Sequence, residues 1–363
     1  MKLFWRTSLG LVLAMAFMTN VAKAEAKADT SLENEVEHYL TNNTGQGAEP
    51  NTFRVYWDKG LRMKSGDGNF SIKFGGRAQF DMVWADSDDN ASTELGENEV
   101  GFRRVRLYFS GSVYKNTLFK VQIDFADTAQ LRDVYVGLNK IGPGKLLFGH
   151  FKEPFSLNEL TSSKYITFTE RAASVQAFAP SRNSGLAWFG NFGETKRIYL
   201  AAGTFFNTNG VGRVAGQGGW GFSVRIGGLA IENKDRDMLL WVAFNFRWSN
   251  YRMSDRGVQE VRYRSRVDSF GTRQINTGDL SAESDIRYAF EVAFKIKSIH
   301  IQAEFFFVTT KMVNDDDPDF FGWYAQVGWF ITGESRKFKK TSGSWSRTSP
   351  KANFWTGEGG RGA

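Results

Sequence analysis

From Phe70 to Trp84 every second residue is apolar or small: Phe70, Ile72, Phe74, Gly76, Ala78, Phe80, Met82 and Trp84. Between them stand Ser71, Lys73, Gly75, Arg77, Gln79, Asp81 and Val83. Extended backbone sends successive side chains to opposite faces, so this stretch reads as one long strand with an oily face and a wet face. Strands of soluble sandwiches are usually about five or six residues long and turn their oily face to a packed core. A strand of this length crosses a bilayer when tilted, with lipid on one side and water on the other.

Composition agrees with a chain that has two solvents. The sequence holds 33 Phe, 38 Gly, 6 Pro and no Cys, yet its mean hydropathy is −0.38, so the apolar residues are dispersed singly among polar ones. A barrel with a wet interior needs that dispersal, whereas a soluble domain of this size would gather its apolar residues into a core. Closing a sheet into a barrel also makes a disulfide framework unnecessary in an exported protein.

The N-terminus reads as a secretory leader over residues 1–24. Lys2 and Arg6 form its basic end, Leu9 to Met18 its apolar run, and Ala22-Lys23-Ala24 a small-x-small cleavage site. Its loss removes three positive charges and lowers the formal charge from +7 to about +4. No later stretch approaches the ~18 apolar residues of a membrane helix. Residues 25–52 are polar and read as a periplasmic segment; strand signals then begin at Phe53 and make 53–363 one transmembrane domain.

Strands are expected near 70–84, 101–113, 117–126, 130–139, 145–151, 184–189, 196–206, 219–230, 238–249, 259–267, 285–296, 298–310 and 320–332. A tight turn at Tyr114-Lys115-Asn116 alternates with a long acidic loop from Ala85 to Asn98, the turn-and-loop asymmetry of outer-membrane barrels. Single-chain bacterial barrels close with an even number of strands. Here the last strand ends near Thr332 and a Gly-rich terminus follows, so the sequence reads as a barrel cut short by about three strands and not closed by this chain alone. Residues 152–183 lack alternation, and a loop of that length needs a purpose. Its Phe, Tyr and Ile content favours folding inward over capping the outside.

The residues with the most chemistry are cationic. Val-Arg-Tyr-Arg-Ser-Arg-Val at 261–267 sets Arg262, Arg264 and Arg266 at strict period two, about 6.6 Å apart on an extended backbone. One reading is a solvated basic edge that deters aggregation. The other is a rail that hands an anion from site to site, since guanidinium stays charged and offers a planar fork to oxyanions. Arg77, Arg104, Arg106, Lys120, Arg225 and Arg287 also fall on inward positions, with Arg103 adjacent through a local kink. They outnumber the clearest inward acids, Asp81, Asp124, Asp133 and Glu291. A narrow positive lumen excludes cations and draws anions in.

Other chemistries find little support. The histidines are His38, His150 and His300, none in a hydrolase motif. Asp315-Asp316-Asp317-Pro318 reads as a solvated loop before a calcium site, and no Gly-rich stretch ends in the GK[ST] of a phosphate-cradling loop. No cofactor is implied, and an exported barrel is no partner for nucleic acid despite a pI near 9.4.

From about Gly60 to Phe354 the chain resembles the phosphate-selective porins, the polyphosphate and phosphate porins of Gram-negative outer membranes. The resemblance is carried by Phe102-Arg103-Arg104-Val105-Arg106-Leu107, Asp124-Phe125-Ala126-Asp127, Leu131-Arg132-Asp133-Val134-Tyr135, and above all Phe151-Lys152-Glu153-Pro154-Phe155-Ser156-Leu157 continuing through Glu159 to Phe168. It implies a homotrimer of 16-stranded antiparallel β-barrels in outer-membrane lipid, with 152–183 as the inward-folded constriction loop. It further implies an arginine ladder at Arg262, Arg264 and Arg266, joined by Arg287. The central anion zone then comprises Arg103 and Arg104 on the wall, Lys164 from the loop, and Asp133 as an acid that helps release the anion. Arg106 departs from the pattern, which carries an aromatic there; an added arginine favours larger or more highly charged anions. The expectation is a passive channel for phosphate or polyphosphate. The alternatives are a general or sugar-selective porin without a dedicated anion site, and a blocked barrel serving as an anchor.

Overall fold

A computed structural model describes residues 52–58, 60–84, 99–208, 219–251, 260–266, 270, 273 and 275–351. The expected leader over 1–24, the rest of the chain up to Asn51, the acidic stretch 85–98 and the residues after Lys351 lie outside the described residues. The chain divides into a small unit, residues 1–54 with 65–68, and a larger one, residues 55–64 with 69–363. In the small unit the Gly66 amide donates to the Thr52 carbonyl at 2.8 Å and the Ser65 hydroxyl to Asp67 at 2.5 Å.

The larger unit is an antiparallel sheet. Its strands begin with β1 (Phe53–Trp57) and β2 (Leu61–Ser65), of which Phe53, Arg54 and Ser65 count to the small unit, and continue with β3 (Ser71–Val83), β4 (Glu99–Val113), β5 (Thr117–Asp124), β6 (Gln130–Ile141), β7 (Gly144–Lys152), β8 (Arg182–Phe192), β9 (Ile198–Phe206), β10 (Trp220–Asn233) and β11 (Met238–Asn250). Short bridges β12 (Glu260–Val261), β13 (Arg264–Ser265) and β14 (Ile275–Asn276) precede β15 (Leu280–Ile296), β16 (Ile299–Met312) and β17 (Asp319–Trp329). The order is sequential from β1 to β11, then β15, β16 and β17, with β12 paired to β15 as a side branch. From β2 onward each neighbouring pair is antiparallel, the connectivity that hairpins impose. No helix among the described residues is long and apolar enough to cross a membrane, which leaves crossing by strands untouched.

Burial alternates with the sign opposite to a soluble sandwich. On β15 the buried positions are Asp285, Arg287, Ala289, Glu291 and Ala293, while Phe290 and Val292 are exposed. On β17 Phe321, Trp323, Val327 and Trp329 are each more than 60% exposed. On β3 the exposed face is Phe74, Gly76, Ala78, Phe80 and Met82. A hydrocarbon solvent makes that outward face favourable, and satisfied strand hydrogen bonds make the backbone tolerable within it.

The expected strand at 259–267 is corrected. β11 pairs directly with β15 over Met238–Asn250 against Ser284–Ile296, leaving no slot between them. Residues 260–266 keep their two-residue alternation, but only as the bridges β12 and β13. Val261 and Tyr263 are buried with Phe155, Val175 and Phe178, and the Tyr263 hydroxyl donates to Asp285 at 2.8 Å. Beyond the two residues of β12 that pair with β15, the alternation here reports packing on the interior rather than a full strand of the wall.

Inside the sheet lie α1 (Leu157–Leu160) and α2 (Ala173–Phe178), both in the 152–183 segment. Phe155 and Leu157 are completely buried, Phe155 against Phe306 of β16 at 6.3 Å between ring centres. Gly322 on β17 lets α2 approach, since a Cβ there would meet Phe178 at 2.9 Å and Ser174 at 3.0 Å. Residues after β17 also pack inward. β18 (Phe338–Lys339) and β19 (Ser344–Trp345) pair with each other, and Trp345 is buried with Leu157, Tyr199 and Trp241.

Candidate functional site: a basic channel wall

The 152–183 segment is held against the β10, β11, β15 and β16 side of the sheet by acids and amides on those strands. Glu304 of β16 accepts the backbone amides of Leu157 at 3.0 Å and Asn158 at 2.8 Å, and the Tyr324 hydroxyl at 2.5 Å. Asn245 of β11 accepts the Ser156 amide at 3.1 Å. From the segment itself, Glu153 accepts Arg247 Nε at 3.0 Å, Asn183 Nδ2 at 2.7 Å and the Ser223 hydroxyl. A buried charge is costly unless paired and hydrogen-bonded, and the acids of β15 are both: Glu291 takes two bonds from Arg225 at 3.0 and 2.6 Å, and Asp285 is held by Arg287 at 2.5 Å and by Arg247 at 3.3 Å.

The opposite wall, β3 to β8, is left facing a cavity of about 1330 Å³. Fifteen Lys and Arg line it against five Asp and Glu. Four of those acids each hold two cations. Glu170 Oε1 accepts Arg103 Nε at 2.6 Å and Arg104 Nη2 at 2.8 Å. Asp124 Oδ2 accepts Arg106 Nε at 2.6 Å, and Arg132 stands 3.4 Å from the same oxygen. Asp133 accepts Arg182 Nε at 2.6 Å and the Lys120 ammonium. Glu159 is flanked by Arg171 at 3.0 Å and Lys152 at 3.1 Å. Each such trio carries a net positive charge.

A β-bulge makes the first trio. The β3–β4 register pairs Gln79 with Arg104 and Phe80 with Phe102, so Arg103 is the extra residue. A bulge re-aims its residue, and two consecutive arginines thereby reach one carboxylate. Arg106 sits across from Arg77 in the same ladder. Lys164, from the loop between α1 and α2, stands 5.5 Å above the Tyr108 ring, which also faces Lys120 at 5.8 Å. Burial, with the Arg77 and Lys73 charges, lowers the Lys164 amine below its ordinary range. Among the described residues it has no ion-pair partner within 4.0 Å.

The three alternating arginines are not gathered in one cluster. Arg262 is exposed and paired with Asp279, Nε to Oδ1 at 2.5 Å. Arg264 is exposed on β13 opposite Asn276. Arg266 lines the large cavity. Arg262 and Arg287 line a second cavity of about 650 Å³, together with Arg132, Arg182 and Arg247. Arg287 itself is buried, donating to Asp285 and to the Phe178 carbonyl at 2.9 Å. Sequence reasoning missed Glu170, Glu159, Arg171 and Arg182 as members of the wall. All four come from the 152–183 segment, which lacks the alternation that exposed the strand residues.

These features, an antiparallel sheet with an oily outside and a charged, loop-filled inside, define an outer-membrane β-barrel porin. A family model described as phosphate-selective porin O and P matches residues 72–362; the chain belongs to that family. An uncharacterised protein of Caulobacter vibrioides is 29% identical over 322 residues, covering 85% of this chain and 62% of the relative. Porin O of Pseudomonas aeruginosa is 25% identical over 327 residues, covering 80% of this chain and 71% of Porin O. The chain thus spans somewhat under two thirds of the first relative's length and somewhat over two thirds of the second's. The OmpT outer-membrane protein of Vibrio cholerae aligns at TM-score 0.39 and 12% identity over 82% of this chain and 95% of that one.

Proposed function

We propose that this porin passes anions by diffusion and that its cargo is phosphate or polyphosphate. The carrying observation is the imbalance of the cavity lining, fifteen cations to five acids, with the acids of β15 and β16 withdrawn into buried pairs and loop contacts. Such a lining raises the local concentration of anions, and its guanidinium groups replace part of an oxyanion's hydration shell. Arg103, Arg104 and Lys164 form the central zone of this reading, with Asp133 moderating its hold. Arg106, beside Arg77 and Arg132, extends the zone for larger or more highly charged anions. Arg262, Arg264, Arg266 and Arg287 serve as the outer relay; the cavity shared by Arg262 and Arg287 supports this. Residues 152–183 act as the constriction, residues 1–24 as a cleaved leader, 25–52 as a periplasmic segment and 53–363 as the barrel portion, in a homotrimer.

Planar-bilayer recording tests the reading. Anion selectivity in a KCl gradient and block of chloride current by millimolar or lower phosphate are expected. The block should weaken in Arg262→Ala/Arg264→Ala/Arg266→Ala. Cation selectivity, or chloride current indifferent to phosphate, would instead indicate a general or sugar-selective porin.

A further inference from the structure

We propose that Glu170 is a tethered counter-anion, competing with an oxyanion for the seat that Arg103 and Arg104 offer and yielding it when the cargo arrives. This rests on the anion-channel reading and adds the residue that sets how tightly that channel holds its cargo.

One oxygen of Glu170 accepts from both guanidinium groups, at 2.6 and 2.8 Å. These are the lengths of charge-assisted bonds. An oxygen of a tetrahedral oxyanion would take the same two donors, so carboxylate and cargo compete for one position. The tether distinguishes Glu170 from the other acids of the wall. Asp124 and Asp133 are fixed on the strands β5 and β6, and Glu159 lies on α1 with the Ser181 hydroxyl bonded to it at 3.1 Å. Glu170 instead follows three exposed residues, Thr167 to Thr169, on irregular backbone between the helices. Its side chain is only 7% exposed, with both arginines bonded to one of its oxygens.

The physical consequence concerns release. Two adjacent guanidinium groups would hold a divalent oxyanion too tightly to conduct, and conduction needs sites that let the ion go. A carboxylate on a short tether has a high effective concentration at the seat. It reduces the fraction of channels with an empty seat, which weakens the apparent affinity by that fraction. As an anion leaves, Glu170 returns to the arginines, so the exit does not strand two unpaired charges.

The test uses the full chain in planar bilayers, with inorganic phosphate added to KCl. Glu170→Gln removes the charge and nearly keeps the shape; the half-blocking phosphate concentration should fall about tenfold and blocking events lengthen, the effect of one charge-assisted bond no longer displaced. Glu170→Asp should stay near wild type. Because the chain has no cysteine, Glu170→Cys offers a second route in assembled channels. Attaching a sulfonatoethyl thiosulfonate reagent should weaken phosphate block, and a neutral methyl adduct should not. Unchanged or weaker block in Glu170→Gln, or no difference between the two adducts, would mean that Glu170 only holds its arginines in place, and the proposal falls. A wild-type channel without phosphate block is a separate outcome and overturns the anion-channel reading itself.

Discussion

Burial alone would raise the Glu159 carboxyl, but the charges of Arg171 and Lys152 bring it down to about 2. For a buried group, that displacement from an ordinary value near 4.5 corresponds to about 3 kcal/mol of interaction with the ionised form. The folded value lies below the unfolded one, so this stabilisation is present above about pH 4.5 and is lost as pH falls through about 2. Unfolding of the porin in detergent should therefore show a stability component that is flat at neutral pH and fades through that acid window. Glu159→Gln should lack that component and lower stability at pH 7, because Lys152 and Arg171 are left buried without their acid. At this scale the strand residues were legible in the sequence. Arg104, Arg106 and Asp133 follow from alternation, and Arg103 from its place beside them. Their partners were not legible, since Glu170 lies 66 residues from Arg104 in a segment with no period to read.

At the scale of elements, α1 has four residues, too few to persist alone. It exists because Glu304 receives its first two amides and Asn245 receives the Ser156 amide. Truncation in Glu304→Ala leaves those amides and the Tyr324 hydroxyl without an acceptor, at a cost on the order of 3 kcal/mol. Residues 153–178 should then detach from β16. Single-channel conductance should rise, phosphate block should weaken, and protease added to the detergent-solubilised porin should cut within this segment. Unaltered conductance and protection would show that the aromatic contacts of Phe155 and Phe178 suffice. The stretch at 260–266 carries the complementary lesson. Its alternation is real, with Val261 and Tyr263 in and Arg262 and Arg264 out, but only Glu260 and Val261 join the sheet, at the end of β15 beyond its pairing with β11. Alternation reports two environments and is silent on whether the second strand edge finds a partner.

Among the described residues of the larger unit the charges are sorted by wall. The buried acids of β15 and β16 are spent on arginines of β10, β11 and β15 and on the inner segment, while the β3 to β8 side keeps its excess of cations toward the cavity. Field effects of this kind act through water in the lumen and are screened by salt. The anion-to-cation permeability ratio should fall as KCl rises from 0.1 to 1 M, where the screening length drops from about 10 to about 3 Å. A ratio independent of salt would point to selection by direct contact alone.

The amino-acid order by itself determined the two solvents. Period-two placement of Phe, Ile and Trp against Lys, Arg and Asp is written into each strand, because an extended backbone alternates its faces whatever surrounds it. Only the tertiary structure decided which carboxylate neutralises which cation, because those pairs join a strand to a loop folded across its interior, and the approach depends on contacts such as Glu304 with Leu157 that no local pattern encodes.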